Sequence, residues 1–278
     1  MENSKVKNLI ILILALMNLF LLFIVTSDSI EQSRSIRLRN EALYEVLSSR
    51  SILLGDDVSL RDFVPAEIVL RRSLSTERKL VSSMVGAPEI SDQGGEIYVY
   101  TGSGGTACFY GDGELDMALY TGSFSTGNNP VSAAVSALRK MGLSTTNEGA
   151  LVRETNSATY VTLLCTYEGS SVFESGIECT FTGGKLTLIS GKRVFDEPDS
   201  ITTPQTYPDS ATIIMSLLRH LDETGEICTE ITSLEAGYLA ETPQMGLCKL
   251  RPVWQITING GNIYYFDGIT GEIAYPTR

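Results

Sequence analysis

Residues 129–142 read NPVSAAVSALRKMG, and this stretch contains the clearest signal for the fold. Asn129 and Pro130 are typical of a helix N-cap and of the first helical position. Gly142 suits the position just after the last turn of a helix. Between them, apolar residues recur at the spacing of one helix face, namely Val131, Ala134, Val135, Leu138 and Met141. The stretch therefore predicts a helix with one buried face.

Strand-like runs follow this helix at Ala158–Tyr167, Val172–Phe181 and Lys185–Phe195. Residues 168–171 and 183–184 supply the hairpin turns. The same order, a helix and then an antiparallel meander, occurs in residues 75–122 and again in residues 208–275. This repetition predicts an α+β fold built from three similar modules.

A long apolar run precedes the modules. Leu9 to Val25 are apolar except for Asn18, and Lys5 and Lys7 stand before them. An uncleaved membrane helix is favoured over a signal peptide, because a signal peptide usually has an apolar core of about 7–15 residues and a small-x-small cleavage site. Residues 25–27 (VTS) are a poor cleavage site.

The expected domain organisation follows from this run and from the three modules. We expect a cytoplasmic tail (1–8), a transmembrane helix (9–25), a juxtamembrane stalk with a first helix (26–72), and α+β modules at 73–125, 126–200 and 201–278. Lys5 and Lys7 favour a cytoplasmic N-terminus, although three arginines shortly after the run oppose that orientation. The sequence thus predicts a single-pass protein of the cell membrane with an extracytoplasmic C-terminal domain.

Asn18 lies near the middle of the apolar run, and two interpretations remain open. A single amide is tolerated in an otherwise apolar helix. Alternatively, the amide hydrogen-bonds to a membrane helix of another chain, because polar side chains at that depth usually face protein.

Charge and cysteine content limit the classes of function. Residues 1–80 carry 11 Lys and Arg against 10 Asp and Glu, whereas residues 81–278 carry 10 against 23, a net charge of −13. This balance argues against nucleic-acid binding, which needs clustered basic side chains. The five cysteines are odd in number and widely spaced, which favours free core thiols, although one or two disulfides remain possible.

No arrangement of residues predicts a catalytic, metal or cofactor site. His220 is the only histidine, and it falls on the flank of its predicted helix without a nucleophile motif nearby. Residues 102–105 (GSGG) lack the lysine and the following helix of a phosphate-binding loop, so a hairpin turn is favoured. Asp112, Glu114 and Asp116 are typical of a solvated turn and strand. A hydrolase that uses His220 or paired acids remains an alternative hypothesis.

Residues 252–258 read PVWQITI, and a hairpin then leads to Tyr264, Tyr265 and the turn at Gly271. In purely structural terms, Trp254 is expected to anchor a core and the glycines to form turns. The same pattern resembles the end of the regulatory proteins YycH and YycI, and more loosely of PepSY-type modules. The resemblance rests on Pro252, Val253, Trp254, Tyr264, Tyr265, Asp267, Thr270, Gly271 and Glu272.

The N-terminal region is similar to YycI in particular, through a basic start and the N-x-F-L-L pattern of Asn18, Phe20, Leu21 and Leu22. Residues 85–88 (VGAP), followed by a Gly-rich hairpin, also resemble that family. The resemblance implies a non-enzymatic accessory regulator of the WalK/WalR two-component system, which controls cell-wall metabolism in Gram-positive bacteria. It further implies that the partners are a sensor histidine kinase and a YycH-like protein, with Asn18 and its neighbours in the membrane contact. The alternative implied by the looser similarity is a cell-surface binding or peptidase-inhibitor module of PepSY type.

Overall fold

A computed structural model describes residues 14, 17–18, 37–56, 58–60, 63–120, 124–127 and 129–275. Four helices are described: α1 (residues 37–49), α2 (Leu74–Val85), α3 (Pro130–Met141) and α4 (Ser210–Thr224). The strands are β1 (Leu53–Leu54), β2 (Glu67–Arg71), β3 (Glu89–Asp92), β4 (Tyr98–Gly102), β5 (Gly105–Phe109), β6 (Glu114–Leu119), β7 (Thr145–Glu154), β8 (Ala158–Tyr167), β9 (Ser170–Thr182), β10 (Lys185–Lys192), β11 (Glu197–Thr202), β12 (Glu230–Glu241), β13 (Leu247–Ile258), β14 (Asn262–Asp267) and β15 (Ile273–Ala274).

The strands join into one 15-stranded sheet with the central order β11-β2-β13-β12-β9-β10-β6-β5-β4-β3. The β12–β9 and β1–β12 pairs are parallel, and the other pairs in the described chain are antiparallel. Along one edge, strand β13 pairs with β12. Along its other edge, the first part of β13, up to Leu250, pairs with β2, and the second part, starting at Val253, pairs with β14. A single strand thus connects two regions of the molecule.

The predicted helix caps are confirmed. The side chain of Asn129 accepts a hydrogen bond from the Ser132 backbone N–H, and Pro130 is the first residue of α3. Gly142 has a φ of 98°, a left-handed conformation that residues with a Cβ rarely adopt. Gly225 ends α4 in the same way, with a φ of 72°.

The buried apolar side chains form two large clusters. One packs α2 and α3 onto strands β4 to β6 and β8 to β10, and Leu250 of β13 belongs to it. The other packs α1 and α4 onto β12, β13 and β14, around Trp254. The helices therefore cover the sheet in two separate pairs.

The predicted fold class is wrong in its architecture. Among the residues that the structure describes, strands account for 46% and helices for 23%, and strands from all three expected modules hydrogen-bond into one sheet. The pairings that join them, such as β9 with β12 and β2 with β13, link residues far apart in sequence. Local hairpin signals do not encode such distant pairings, and the repeated pattern therefore suggested separate meanders.

The prediction of an N-terminal transmembrane helix is also contradicted. No helix within the described ranges combines the length and the apolar run that a bilayer crossing requires. The longest of them, α4, has 15 residues, about 22 Å at 1.5 Å per residue. The same finding overturns the predicted single-pass membrane localisation. Most of residues 9–25 lie outside the described part; Leu14, Met17 and Asn18 are helical and exposed.

Candidate functional site: an apolar groove between two helices

Helices α1 and α4 lie side by side and run in the same direction. Close to the first described residue of α1 and to the start of α4, Arg39 Nε lies 3.1 Å from Asp209 Oδ2. At their other ends, the Arg50 guanidinium donates two hydrogen bonds to Asp222, of 2.7 and 2.9 Å. The hydrogen bonds from Arg50 lower the pKa of Asp222 below its usual value. Because these charges are paired, they add little net charge to the helix pair.

The local sequence explains why α4 starts next to α1. Asp209 is the N-cap of α4, and its side chain accepts a hydrogen bond of 2.9 Å from the Thr212 backbone N–H. The other carboxylate oxygen of Asp209 faces Arg39. One side chain therefore begins the helix and also ties it to α1.

A groove of about 370 Å³ opens between the two helices. Its lining is apolar except for Arg39 and Thr212, and consists of Arg39, Ala42, Leu43, Val46, Ala211, Thr212 and Met215. Leu43 is buried in the core beneath, whereas Ala42 and Met215 are exposed. Leu38 stands one helical turn before Ala42 and is 53% exposed, which extends the apolar surface along α1.

A second feature, the cluster of charges around Glu77, is closed to solvent. Glu77 is fully buried on α2, and Arg72 and Arg193 are almost fully buried beside it. Arg72 donates hydrogen bonds of 2.7 and 3.1 Å to the two Glu77 carboxylate oxygens, and Arg193 donates one of 2.5 Å to Oε1. Tyr100 donates its hydroxyl hydrogen to Oε2 over 3.0 Å.

The remaining donors of this cluster are also largely used. Arg72 donates to the carbonyl oxygens of Glu96 and Phe109, and Arg193 donates to Asp196 over 2.9 Å. Burial raises the pKa of Tyr100 well above its usual value, and the Glu77 carboxylate adds to this effect. Its three central charges, Arg72, Glu77 and Arg193, have no open face toward a substrate, so their geometry is that of an internal brace between α2, β5 and the segment after β10.

A cavity of about 250 Å³ lies next to this brace, with Cys165 and Asp196 in its lining. Burial raises the pKa of the Cys165 thiol to about 11 and also raises the pKa of Asp196. The thiol is therefore protonated at neutral pH, and no histidine lines the cavity to activate it. This lining does not fit nucleophilic chemistry. All five cysteines are free, and Cys165, Cys179 and Cys248 are buried.

The structure gives His220 an aromatic neighbour. Its ring meets Tyr264 edge to face, with centroids 5.7 Å apart, and in the described part of the chain its ring nitrogens form no hydrogen bond.

The acidic residues and the Gly-rich segment singled out in the sequence lie in turns or at exposed strand positions. Asp112 lies in the β5–β6 turn, Glu114 and Asp116 occupy exposed positions of β6, and residues 103–104 form the β4–β5 turn. Among the described residues, no three His, Cys, Asp or Glu side chains are placed to hold a metal ion.

The other residues singled out in the sequence are dispersed. Phe20, Leu21 and Leu22 lie outside the described residues, and Asn18 is exposed. Pro252, Val253 and Trp254 are buried on β13, with Val253 and Trp254 on opposite faces and in different apolar clusters. Tyr264 and Tyr265 lie on β14, and Gly271 has a φ of 73° in the turn before β15.

Sequence reasoning missed both the brace and the groove, although each left a signal. Glu77 precedes Leu80 and Val81 by three and four residues, so it falls on the apolar face of its helix. Leu38, Ala42 and Val46 are spaced by four residues along α1, which marks an apolar stripe. Their partners on β5, the segment after β10 and α4 could not be inferred from local pattern.

Comparisons with known proteins show the fold alone. No protein-family model matches the chain, and no curated protein matches it either. Among solved structures, the chain is similar to an uncharacterized protein from Eubacterium rectale ATCC 33656, with 11% identity and a TM-score of 0.50 over 81% of this chain and 89% of that chain. None of these comparisons connects the chain with YycI or with the WalK/WalR system.

Proposed function

We propose that this protein is a non-enzymatic accessory regulator that binds a helical segment of a partner protein in the α1–α4 groove. The observation that carries the proposal is the groove itself, which is open, apolar and bordered by charges that already pair with each other. Helix-in-groove recognition uses this arrangement, since the apolar face of an incoming helix replaces water over the groove floor.

The small residues of the groove support a helix as the occupant. Ala42 on α1 and Ala211 on α4 leave room for the backbone of a third helix to approach closely. The exposed side chains of Leu38 and Met215 would pack on either side of it. An apolar and uncharged helix face fits better than a charged one, because Arg39 is already paired with Asp209.

The class of partner is proposed from the similarity of the two chain ends to YycI. On this basis the partners are a sensor histidine kinase of a two-component system that controls cell-wall metabolism, and a YycH-like protein. Regulation would then occur by protein contact, without turnover of a substrate.

The test is co-purification of the full-length chain with the sensor kinase and the YycH-like protein of the same organism. Ala42→Arg and Met215→Arg place a charged side chain in the groove at positions that are already exposed. We expect each to weaken association about tenfold or more, since about 1.4 kcal/mol corresponds to one factor of ten.

Tyr44→Arg is the matched control, because Tyr44 is an exposed apolar residue of α1 that does not line the groove. We expect it to leave association unchanged. Undiminished association of both groove variants would show that the groove is not the contact. Failure of the wild-type chain to associate with either partner would rule out the proposed partner class.

A further inference from the structure

A second open cavity, of about 330 Å³, lies near the C-terminal end of α4, where β14 pairs with β15 at the edge of the sheet. Its polar and aromatic lining comes from four elements or their ends: Glu174 of β9, His220 of α4, Tyr264 and Tyr265 of β14, and Tyr275 after β15. Among the residues that the structure describes, no lysine or arginine lines it. The combination of aromatic rings with one carboxylate is distinct from the apolar α1–α4 groove.

A bulge in β9 places Glu174 in this cavity. The pairing of β8 with β9 jumps from Leu164–Gly176 to Cys165–Val172, so residues 173–175 stand out of the ladder. Glu174 has a φ of 60°, a left-handed conformation that is uncommon for residues with a side chain. On its other edge, β9 changes partner across the same bulge, from β12 to β10.

The carboxylate of Glu174 is only partly used. Its Oε1 accepts a hydrogen bond of 3.1 Å from the Tyr265 hydroxyl group. Its Oε2 accepts none from the residues that the structure describes. Glu174 is exposed, so this oxygen is available to a ligand in the cavity.

The aromatic walls are held in place by hydrogen bonds from outside the cavity. Gln255 donates to the Tyr265 hydroxyl oxygen over 2.9 Å, and Tyr264 donates to Glu226. Burial raises the pKa of each of these two tyrosines to about 12, so both rings are neutral at physiological pH. Tyr275 is 68% exposed and forms an outer wall.

We propose that this cavity binds the basic side chain of a lysine or arginine from a partner polypeptide, with the cation on Glu174 and its aliphatic stem against the tyrosine rings. Neutral aromatic faces attract cations, and a carboxylate with a spare oxygen accepts charge-assisted hydrogen bonds. The net charge of −13 over residues 81–278 favours the approach of a basic segment.

Arg251, which contacts the chain at Tyr275, is already engaged with groups other than Glu174. Arg251 donates to the Tyr275 carbonyl oxygen over 3.1 Å, which fixes the chain after β15. Its guanidinium lies 3.1 Å from the Glu241 carboxylate, which compensates its charge. Among the described residues, no lysine or arginine pairs with the Glu174 carboxylate, which leaves it open to an external cation.

The experiment is saturation-transfer NMR of the full-length chain with the peptide acetyl-Gly-Arg-Gly-amide. We expect transfer to the arginine side-chain protons, and much weaker transfer to the same peptide with citrulline, which has the same shape without the charge. Glu174→Gln should weaken arginine-peptide binding about tenfold or more, because one charge-assisted hydrogen bond is lost. Tyr275→Ala tests the aromatic wall at an exposed position and should also weaken it.

Glu168→Gln is the matched control, since Glu168 is another exposed glutamate with a positive φ, at 49°, and does not line this cavity. It should bind the peptide as the parent does. The proposal would be overturned by equal saturation transfer to the citrulline peptide or by the absence of transfer at millimolar peptide. It would also be overturned if Glu174→Gln bound the arginine peptide undiminished, or if a neutral chitobiose probe received stronger transfer than the peptide. The groove variants Ala42→Arg and Met215→Arg leave this cavity intact, so the two proposals can fail separately.

Discussion

Glu77 receives hydrogen bonds from three side chains, those of Arg72, Tyr100 and Arg193, in a site closed to water. Two guanidinium groups in such a site are stable only while a carboxylate compensates them. The brace also spans distant parts of the chain, because Arg193 lies 116 residues after Glu77. The Glu77 side chain thus links α2 to β4 through Tyr100 and to the segment after β10 through Arg193.

Glu77→Gln should therefore lower the free energy of unfolding by about 3–5 kcal/mol, the usual cost of leaving a buried charge without its partner. Chemical denaturation measures this change. Glu45→Gln is the control, because Glu45 is an exposed helical glutamate, and its effect should stay within about 0.5 kcal/mol. A loss below about 1 kcal/mol for Glu77→Gln would show that the brace is not what stabilises this region.

Two kinds of contact join the elements α1 and α4. Leu43 and Leu47 are buried among the apolar residues of α4, including Leu217 and Leu218. In the Arg39–Asp209 and Arg50–Asp222 ion pairs every side chain except the half-buried Asp209 is exposed, and such pairs contribute little because water and salt screen them. Apolar burial should thus dominate the association of these helices.

Leu47→Ala should lower the free energy of unfolding by about 2–5 kcal/mol, since it removes a fully buried side chain.

A double-mutant cycle on Arg50 and Asp222 should give a coupling energy below about 1 kcal/mol. Both values come from denaturant unfolding of the full chain. A coupling energy larger than the loss of unfolding free energy for Leu47→Ala would show that the ion pair, and not apolar burial, dominates the association of α1 and α4.

At the scale of the whole molecule, β13 connects the two large apolar clusters. Leu250 belongs to the cluster under α2 and α3, and Trp254, on the same face of the strand, belongs to the cluster under α1 and α4. Because both cores share the continuous strand β13, we expect them to unfold together. Unfolding of one core would expose to water the backbone hydrogen bonds that β13 makes in the other.

Trp254 is the single tryptophan, so its fluorescence reports on one core, whereas far-UV circular dichroism reports on the whole sheet. We expect one denaturation transition with the same midpoint by both probes. Leu250→Ala, in the other core, should shift both midpoints equally, by a loss of about 2–5 kcal/mol. A tryptophan transition that stays at the parent midpoint in this variant would show that the cores unfold independently.

The parts that could be predicted from the sequence are those that depend on near neighbours. The caps at Asn129, Gly142 and Gly225 use side chains or backbone angles within one helical turn, and β8 is found where its residue pattern placed it. The strands β2 and β11 were missed: β2 fell in the predicted stalk, and β11 is exposed at every position and shows no alternation. The candidate groove and the tyrosine-lined cavity were not predicted, since each combines residues from elements that are far apart in sequence.

The sequence by itself determined where α3 begins and ends and which of its faces is buried, and it placed helices ahead of the other two meanders, because apolar spacing and capping act locally. Only the tertiary structure decided that the strands form one sheet, that Glu77 meets Arg193, and that Glu174 reaches Tyr265. Long-range strand pairing and a bulge in β9 bring these residues together. Their energy is gained only when distant segments pack together, so no local stretch of sequence contains it.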